Sequence, residues 1–349
     1  MGGFLIASLP AERTSPWHGA GLLSWSGALP RSMRAVAVRA FRETPLLMDL
    51  PRPSPRRGEV LVRMAAAGVN PFDWKIIDGI FEGRRPHVFP LVLGVDGSGT
   101  VEAVGEGVTR FRVGEPIFGQ FLHDPVGIGT FAEFATVPES IGVSHFPSAL
   151  DPVGAAALPT AGMTALDGLD RLELVAGSTL LVVGASGGVG SMATQLAAAR
   201  GVHVIAVARP KSFDRLRSLG ARETVDASSE DLLDQVRKAH PDGLDGVLDV
   251  MSDRARFDLL VSLVRPGGRA ATTVFVADPP AAQTRGVLAI NVDLQPSSTL
   301  LDRLVAETVA RHLRVPVEHR ISLAEGPAAV AESRSGRAAG KTVIVLDAA

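Results

Sequence analysis

One run of seven residues constrains the fold of this chain more than any other: Gly184-Ala185-Ser186-Gly187-Gly188-Val189-Gly190. It follows the apolar run Thr179–Val183 and leads into Ser191–Arg200, which has helical character. Strand, glycine turn and helix in that order give a tight turn, a backbone that a ligand can approach closely, and a helix packed hard on its strand. In the dinucleotide frame the run reads A-x-G-x-x-G, with Ala185 in place of the first glycine. The backbone N–H groups of Ser186, Gly187, Gly188 and Val189, with the helix N-terminus behind them, are then candidate holders of a pyrophosphate. A glycine cluster alone would be weak evidence, and a structural βα turn is the competing reading. The context on either side carries the inference.

That context is a repeating rhythm. After the turn come a strand at Val202–Ala208, a helix at Ser212–Leu219, a strand at Glu223–Val225 and a helix at Asp231–Ala239. Next are a strand at Gly246–Val250, a helix at Arg254–Val264, a strand at Gly268–Phe275, and a longer helix near Leu300–Arg314. Short strands alternating with helices predict a doubly wound parallel sheet, an α/β fold. The region from Met33 to about Leu150 reads as all-β instead. Short alternating runs such as Glu59–Met64 and Gly99–Val104 lie between glycines, which suggests a barrel or sandwich. A closing strand, Thr342–Leu346, is expected to rejoin that first region.

The length of 349 residues fits about two domains. The chain has no cysteine and no tyrosine. This excludes disulfides, a thiolate nucleophile, Cys-ligated zinc, iron–sulfur clusters and a phenolic proton donor. The net charge of −2 gives no field for nucleic acid or an anionic membrane. No apolar run is long enough to span a bilayer. Residues 1–32, with Trp17 and Trp25 but little charge, read as a flexible extension, and the expected location is the cytoplasm. The eight histidines, His87, His123 and His145 among them, show no metal-ligand spacing along the chain, so no metal site is expected.

The nucleotide type is read from the end of the second strand of the α/β region. An acid there would bind a ribose 2′-hydroxyl. The chain has Arg209-Pro210-Lys211-Ser212 instead, and the first acid is Asp214. Two cations at that point favour the 2′-phosphate of NADP, with Arg209 and Lys211 as its contacts. A solvated surface loop is the alternative.

Six segments in order now resemble one family: Gly58–Val62, Gly68–Asp73, Leu93–Gly99, Leu158–Ala165, Ala185–Gly190 and Gly340–Val343. From Met33 onward the chain resembles the medium-chain dehydrogenase/reductase superfamily, in its zinc-independent quinone oxidoreductase group, related to zeta-crystallin. The resemblance implies a GroES-like β-barrel catalytic domain at residues 33–155 and 312–349. It also implies a Rossmann NADP-binding domain at residues 156–311, NADPH in the cleft, and a homodimer through the edge of the Rossmann sheet. Zinc alcohol dehydrogenases of this superfamily need a cysteine near Gly68–Asn70, a His-Glu pair after Gly94 and a four-cysteine lobe. Here Val95-Asp96 stands in place of His-Glu, and no cysteine exists.

The implied reaction is hydride transfer from NADPH to a quinone or an α,β-unsaturated carbonyl, a substrate already activated by conjugation. The alternatives are an enoyl-thioester reductase of a biosynthetic pathway and a catalytically idle NADPH-binding regulatory protein. By resemblance, Asn70 and Lys75 lie beside the nicotinamide ribose and substrate, with Lys75 where several relatives have a tyrosine. Asp73 would orient Lys75, or the pair is a solvated loop. Thr164 resembles the position contacting the nicotinamide end, unless it bonds its own helix. Val274 and Phe275 resemble the segment lining the nicotinamide, and Asp253 falls near a further cofactor position. His123-Asp124 is either a proton relay or a surface pair. Phe72, Trp74, Phe81, Phe89 and Phe121 form either an apolar pocket mouth or barrel core.

Overall fold

The computed structural model describes residues 32–145, 150–336 and 340–346. Apart from Ser32, the expected N-terminal extension lies outside the described residues. The chain begins with β1 (Ser32–Val38), β2 (Leu46–Pro51), β3 (Glu59–Gly68), α1 (Pro71–Ile77), β4 (Leu91–Val92), β5 (Asp96–Val104), β6 (Pro116–Gln120), β7 (Phe134–Pro138) and β8 (Val143–His145). Helices α2 (Pro152–Ala157) and α3 (Pro159–Leu172) lead to β9 (Thr179–Val183), α4 (Gly188–Ala199), β10 (His203–Ala208), α5 (Phe213–Ser218), β11 (Glu223–Asp226) and α6 (Leu232–Ala239). Then follow β12 (Leu244–Asp249), α7 (Arg254–Val261), β13 (Val264–Thr272), α8 (Pro279–Gln283), β14 (Leu288–Asn291), α9 (Ser298–Ala310), β15 (His319–Ser322), α10 (Gly326–Arg334) and β16 (Thr342–Val345).

Strands β9–β14 form one sheet in the order β11-β10-β9-β12-β13-β14, with every neighbouring pair parallel. This is the doubly wound order, and it reverses at β9, where the glycine turn emerges. The central strands explain the topology. Leu180–Val183 and Val204–Ala208 are buried throughout, as strands covered by helices on both faces must be. One face packs against α3, α4 and α9 through residues such as Leu166, Leu196 and Leu304. The other packs against α6 and α7 through Leu232, Val236, Phe257 and Leu260.

The first region forms two layers, antiparallel except where β15 runs parallel to β16. One is β2-β1-β4; the other is β15-β16-β3-β5-β6-β8, with β7 also paired to β3. Phe111, Phe121 and Phe131 fill the space they enclose. The closing strand rejoins this region: β16 runs antiparallel to β3, with Val343 opposite Gly68.

Four sequence expectations are corrected here. The first region is not all-β, because α1 interrupts it. Asn70 in extended conformation, Pro71 at the first helical position and Asp73 three residues on together form a helix start. Helix α4 starts at Gly188, not Ser191, so the glycines belong to its first turn. Strand β13 ends at Thr272, and Val274 and Phe275 lie beyond it in a bend. Phe275 sits in the left-handed region (φ 60°), which a strand cannot contain. Helix α7 stops at Val261, which frees Val264 to begin β13.

Candidate active site

The site is assembled by strand register. Val343 of β16 lies opposite Gly68, and Gly68 lies opposite Asp96 of β5. Continuing the first ladder by two residues sets Lys341 against Asn70. Three adjacent strands thus deliver Lys341, Asn70 and Asp96 to one point, and all three are buried. The Lys341 ammonium donates to Asn70 Oδ1 at 2.6 Å and lies 3.8 Å from Asp96 Oδ2. Asn70 Nδ2 donates to Asp96 Oδ2 at 2.9 Å and to the Gly68 carbonyl at 3.1 Å. Helix α3 contributes Thr160, whose hydroxyl donates to Asp96 Oδ1 at 2.6 Å and whose amide also points at that carboxylate. Gln120 Nε2 donates to the Thr160 hydroxyl at 2.7 Å and completes the chain.

Asp73 lies at the edge of this network. Its Oδ2 accepts from the Asn70 backbone amide at 2.7 Å. Complete burial, then the nearby charge of Asp96, push its carboxyl up to about 7, against the Asn70 hydrogen bond and the pull of Lys341. Burial also pushes Asp96 up, opposed by Lys341 and Thr160, and pushes Lys341 down, opposed by both carboxylates. Two carboxylates share one ammonium in a dry place, so each partner is needed to keep the others there. Asp73 also lines a cavity of about 20 Å³ with Phe121 and His123, space for a single water.

The same lysine reaches the nucleotide turn. A Cβ placed on Gly188 would lie 3.7 Å from Lys341 Cδ, and one on Gly68 would lie 3.2 Å from Lys341 Cε and 2.3 Å from the Ala156 carbonyl. The lysine stem therefore runs between the first region and the start of α4. The turn itself fits a dinucleotide. Gly187 caps α4 without a side-chain acceptor, so the first-turn N–H groups are left for an anion. A Cβ on Gly190 would stand 2.3 Å from the Gly184 carbonyl, the close helix-on-strand approach that only glycine permits. Ser186, Gly187, Gly188 and Val189 are half-buried along this turn. Arg215 Nη2 donates to the Ser186 carbonyl at 2.8 Å while its Nη1 pairs with Glu318 at 2.9 Å, tying the turn to the segment before β15.

The remaining residues named from sequence fall as follows. Lys75 is half-buried on α1, and among the described residues its ammonium has no hydrogen-bond or ion-pair partner; burial lowers it. It lies 5.7 Å from the Trp74 ring. Asp73 does not orient Lys75, because its carboxylate is turned into the Asn70 network. Arg209 and Lys211 are exposed just past the end of β10. Thr164 donates its hydroxyl to the Thr160 carbonyl at 2.6 Å, within its own helix. Val274 is half-buried and Phe275 is exposed at the C-terminal end of β13. Asp253 caps α7 by accepting from the Arg256 amide at 2.9 Å. His123 is not a surface residue: it is buried, with Nε2 3.0 Å from the Thr136 carbonyl. Phe121 belongs to the barrel core, whereas Phe72, Trp74 and Phe81 are half-buried at its margin and Phe89 is exposed.

Sequence reasoning passed over Lys341 and Thr160 as functional residues, and took Asp96 only for the residue in place of a metal ligand. A signal existed for Lys341. It is one of four lysines and stands against an apolar strand, where a lysine stays buried only with a partner.

Two family models match the chain: the alcohol dehydrogenase GroES-like domain over residues 56–148 and the zinc-binding dehydrogenase over residues 188–309. A chloroplast envelope quinone oxidoreductase homolog of Arabidopsis thaliana is 37% identical over 185 residues, 51% of this chain and 55% of that protein. The chain thus spans about half the length of that relative. The NADPH-dependent alkenal/one oxidoreductase of the same plant is 31% identical, covering 72% of this chain and 65% of its own. Among solved structures, an alcohol dehydrogenase superfamily protein from Novosphingobium aromaticivorans is 32% identical, with a TM-score of 0.75, covering 90% of this chain and 100% of its own. The glycine turn, the doubly wound sheet, the split barrel and these relatives agree: the chain belongs to the medium-chain dehydrogenase/reductase (alcohol dehydrogenase) superfamily.

Proposed function

We propose that the protein is a zinc-independent, NADPH-dependent reductase that delivers hydride to a quinone or an α,β-unsaturated carbonyl. One observation carries this reading: the Asn70–Asp96–Lys341 network sits against Gly188 of the nucleotide turn. The donor set argues against a catalytic zinc. Asp96 is already held by the Asn70 amide and the Thr160 hydroxyl, the Lys341 ammonium stands 3.8 Å away, and the chain has no thiolate to offer. NADPH supplies the hydride when bound. The α4 N-terminus and the Ser186–Val189 backbone bind its pyrophosphate, and Arg209 and Lys211 bind the 2′-phosphate. Lys75, half-buried on α1 with no hydrogen-bond or ion-pair partner among the described residues, donates a hydrogen bond to cofactor or substrate oxygen. Asn70 is fixed by three hydrogen bonds and holds the α1 turn that carries Lys75 in place. Phe72, Trp74 and Phe81 give the entrance an apolar wall suited to a hydrophobic acceptor. The homodimer is part of the same proposal, with β14, one of the two edges of the parallel sheet, as its seam.

Loss of NADPH absorbance is the test, run against a panel of quinones, enones and enoyl-thioesters. The expected result is turnover of quinones or enones, with NADPH preferred to NADH. Tight NADPH binding without turnover of any member would overturn the reading in favour of an idle binding protein. Turnover of enoyl-thioesters alone would reassign the substrate.

A further inference from the structure

A second cluster lies at the opposite end of the parallel sheet. Parallel pairing aligns Glu223 of β11 with Ile205 of β10. Alternation along β10 puts His203, two residues before Ile205, on that same face. Helix α6 covers this face with Leu232 and Val236. His240, at the α6 C-cap, is one helical turn beyond Val236 and continues the same stripe. Three elements, separated by 17 and 20 residues along the chain, therefore converge. The place is the N-terminal end of β10 and β11, whereas the glycine turn follows the C-terminal end of β9.

The geometry is that of a ligand set. His203 Nε2 lies 2.5 Å from Glu223 Oε1, and His240 Nε2 lies 3.3 Å from it. One ligand atom from each residue falls within 4.8 Å of the others. A tetrahedral zinc-type ion, with bonds of about 2.0–2.2 Å, sets its ligand atoms roughly 3.4 Å apart. The His240–Glu223 pair already has that spacing, and the His203–Glu223 pair reaches it by opening about 1 Å. The side chains are 28%, 35% and 14% exposed for His203, Glu223 and His240, which leaves a fourth position for water. Spacing along the sequence gave no hint of this site, because its ligands come from two strands and a helix.

We propose that His203, Glu223 and His240 form a binding site for a divalent transition-metal ion of the zinc class, remote from the cleft. Two imidazoles and one carboxylate suit zinc, nickel or copper and are a poor set for magnesium or calcium, which take oxygen ligands. Strand β11 is an edge strand paired only with β10. An ion here would tie that edge to α6, so its effect is on stability and not on hydride transfer.

The test uses the whole chain, free of any polyhistidine tag and stripped with a chelator. Zinc is added in a calorimeter, and cobalt(II) is added in parallel to read its visible absorption. One ion per chain, a cobalt band of tetrahedral or five-coordinate type, and a rise in the unfolding temperature with zinc but not magnesium are expected. The His203→Gln/His240→Gln variant should lose about a hundredfold in affinity and the thermal shift. Its NADPH binding should match the parent, which reports that the sheet is intact. Should that variant not fold, Glu223→Gln with unchanged NADPH binding serves the same purpose. No zinc binding by the parent chain, or undiminished affinity in the folded variant, overturns the proposal.

Discussion

Lys341 does more for the site than any single residue that sequence reasoning selected. It is buried, donates to Asn70, neutralises the surroundings of Asp96 and Asp73, and lies against the nucleotide turn. Removing one partner of a buried ion pair leaves an uncompensated charge, which costs about 3–5 kcal/mol. Lys341→Met should therefore lower the unfolding free energy by that order in urea titrations, and adding Asp96→Asn should recover part of it. A Lys341→Met protein as stable as its parent would show that the network contributes nothing. At this scale the sequence revealed what is local. Asn70, Asp73 and Lys75 are close in sequence and stand together on one helix start, although the all-β reading of that region did not foresee the helix. Lys341 is 271 residues from Asn70, and no periodicity connects positions that only a strand register brings face to face.

Elements were legible where burial dictates pattern. The runs Thr179–Val183 and Val202–Ala208 are apolar because helices cover both faces, and β9 and β10 follow them to within a residue. Ends were less legible, because they depend on backbone dihedrals that composition does not report. Glycines at 187 and 188 disfavour a helix interior yet suit an N-terminus offered to an anion, so α4 begins earlier than its apolar residues suggest. The end of β10 carries a prediction. Arg209 and Lys211 emerge together after Ala208, exposed, with no ion-pair partner among the described residues. Replacing both with Ala should raise the Kd for NADPH at least tenfold, about 1.4 kcal/mol, and leave that for NADH within twofold. Fluorescence titration with each nucleotide checks it, and an unchanged preference would remove these cations from the cofactor site.

The whole molecule was legible in its order, a region of mostly antiparallel strands followed by a parallel sheet, with a returning strand. The two are joined by Lys341 and by the Arg215 link from the Ser186 carbonyl to Glu318. Burial of charge at this junction makes stability depend on pH. The Asp73 carboxyl titrates at about 7 when folded and in the ordinary carboxylate range when unfolded. A raised value means that its contribution is fully present below about pH 4 and is lost as pH rises through about 7. Relative to Asp73→Asn, the parent protein should lose on the order of 1 kcal/mol per pH unit across that window. Urea titrations from pH 4 to 8 give the two profiles, and parallel curves would refute the assignment. The position of Lys341 has one more consequence, for synthesis. It immediately precedes β16, the last of the described elements to leave the ribosome. Until then Asp73 and Asp96 have no cation, and the nucleotide turn lacks the stem that borders it. A chain shortened before Lys341 would keep the whole parallel sheet, whose strands all precede it, but would leave the two carboxylates at the junction without their shared cation.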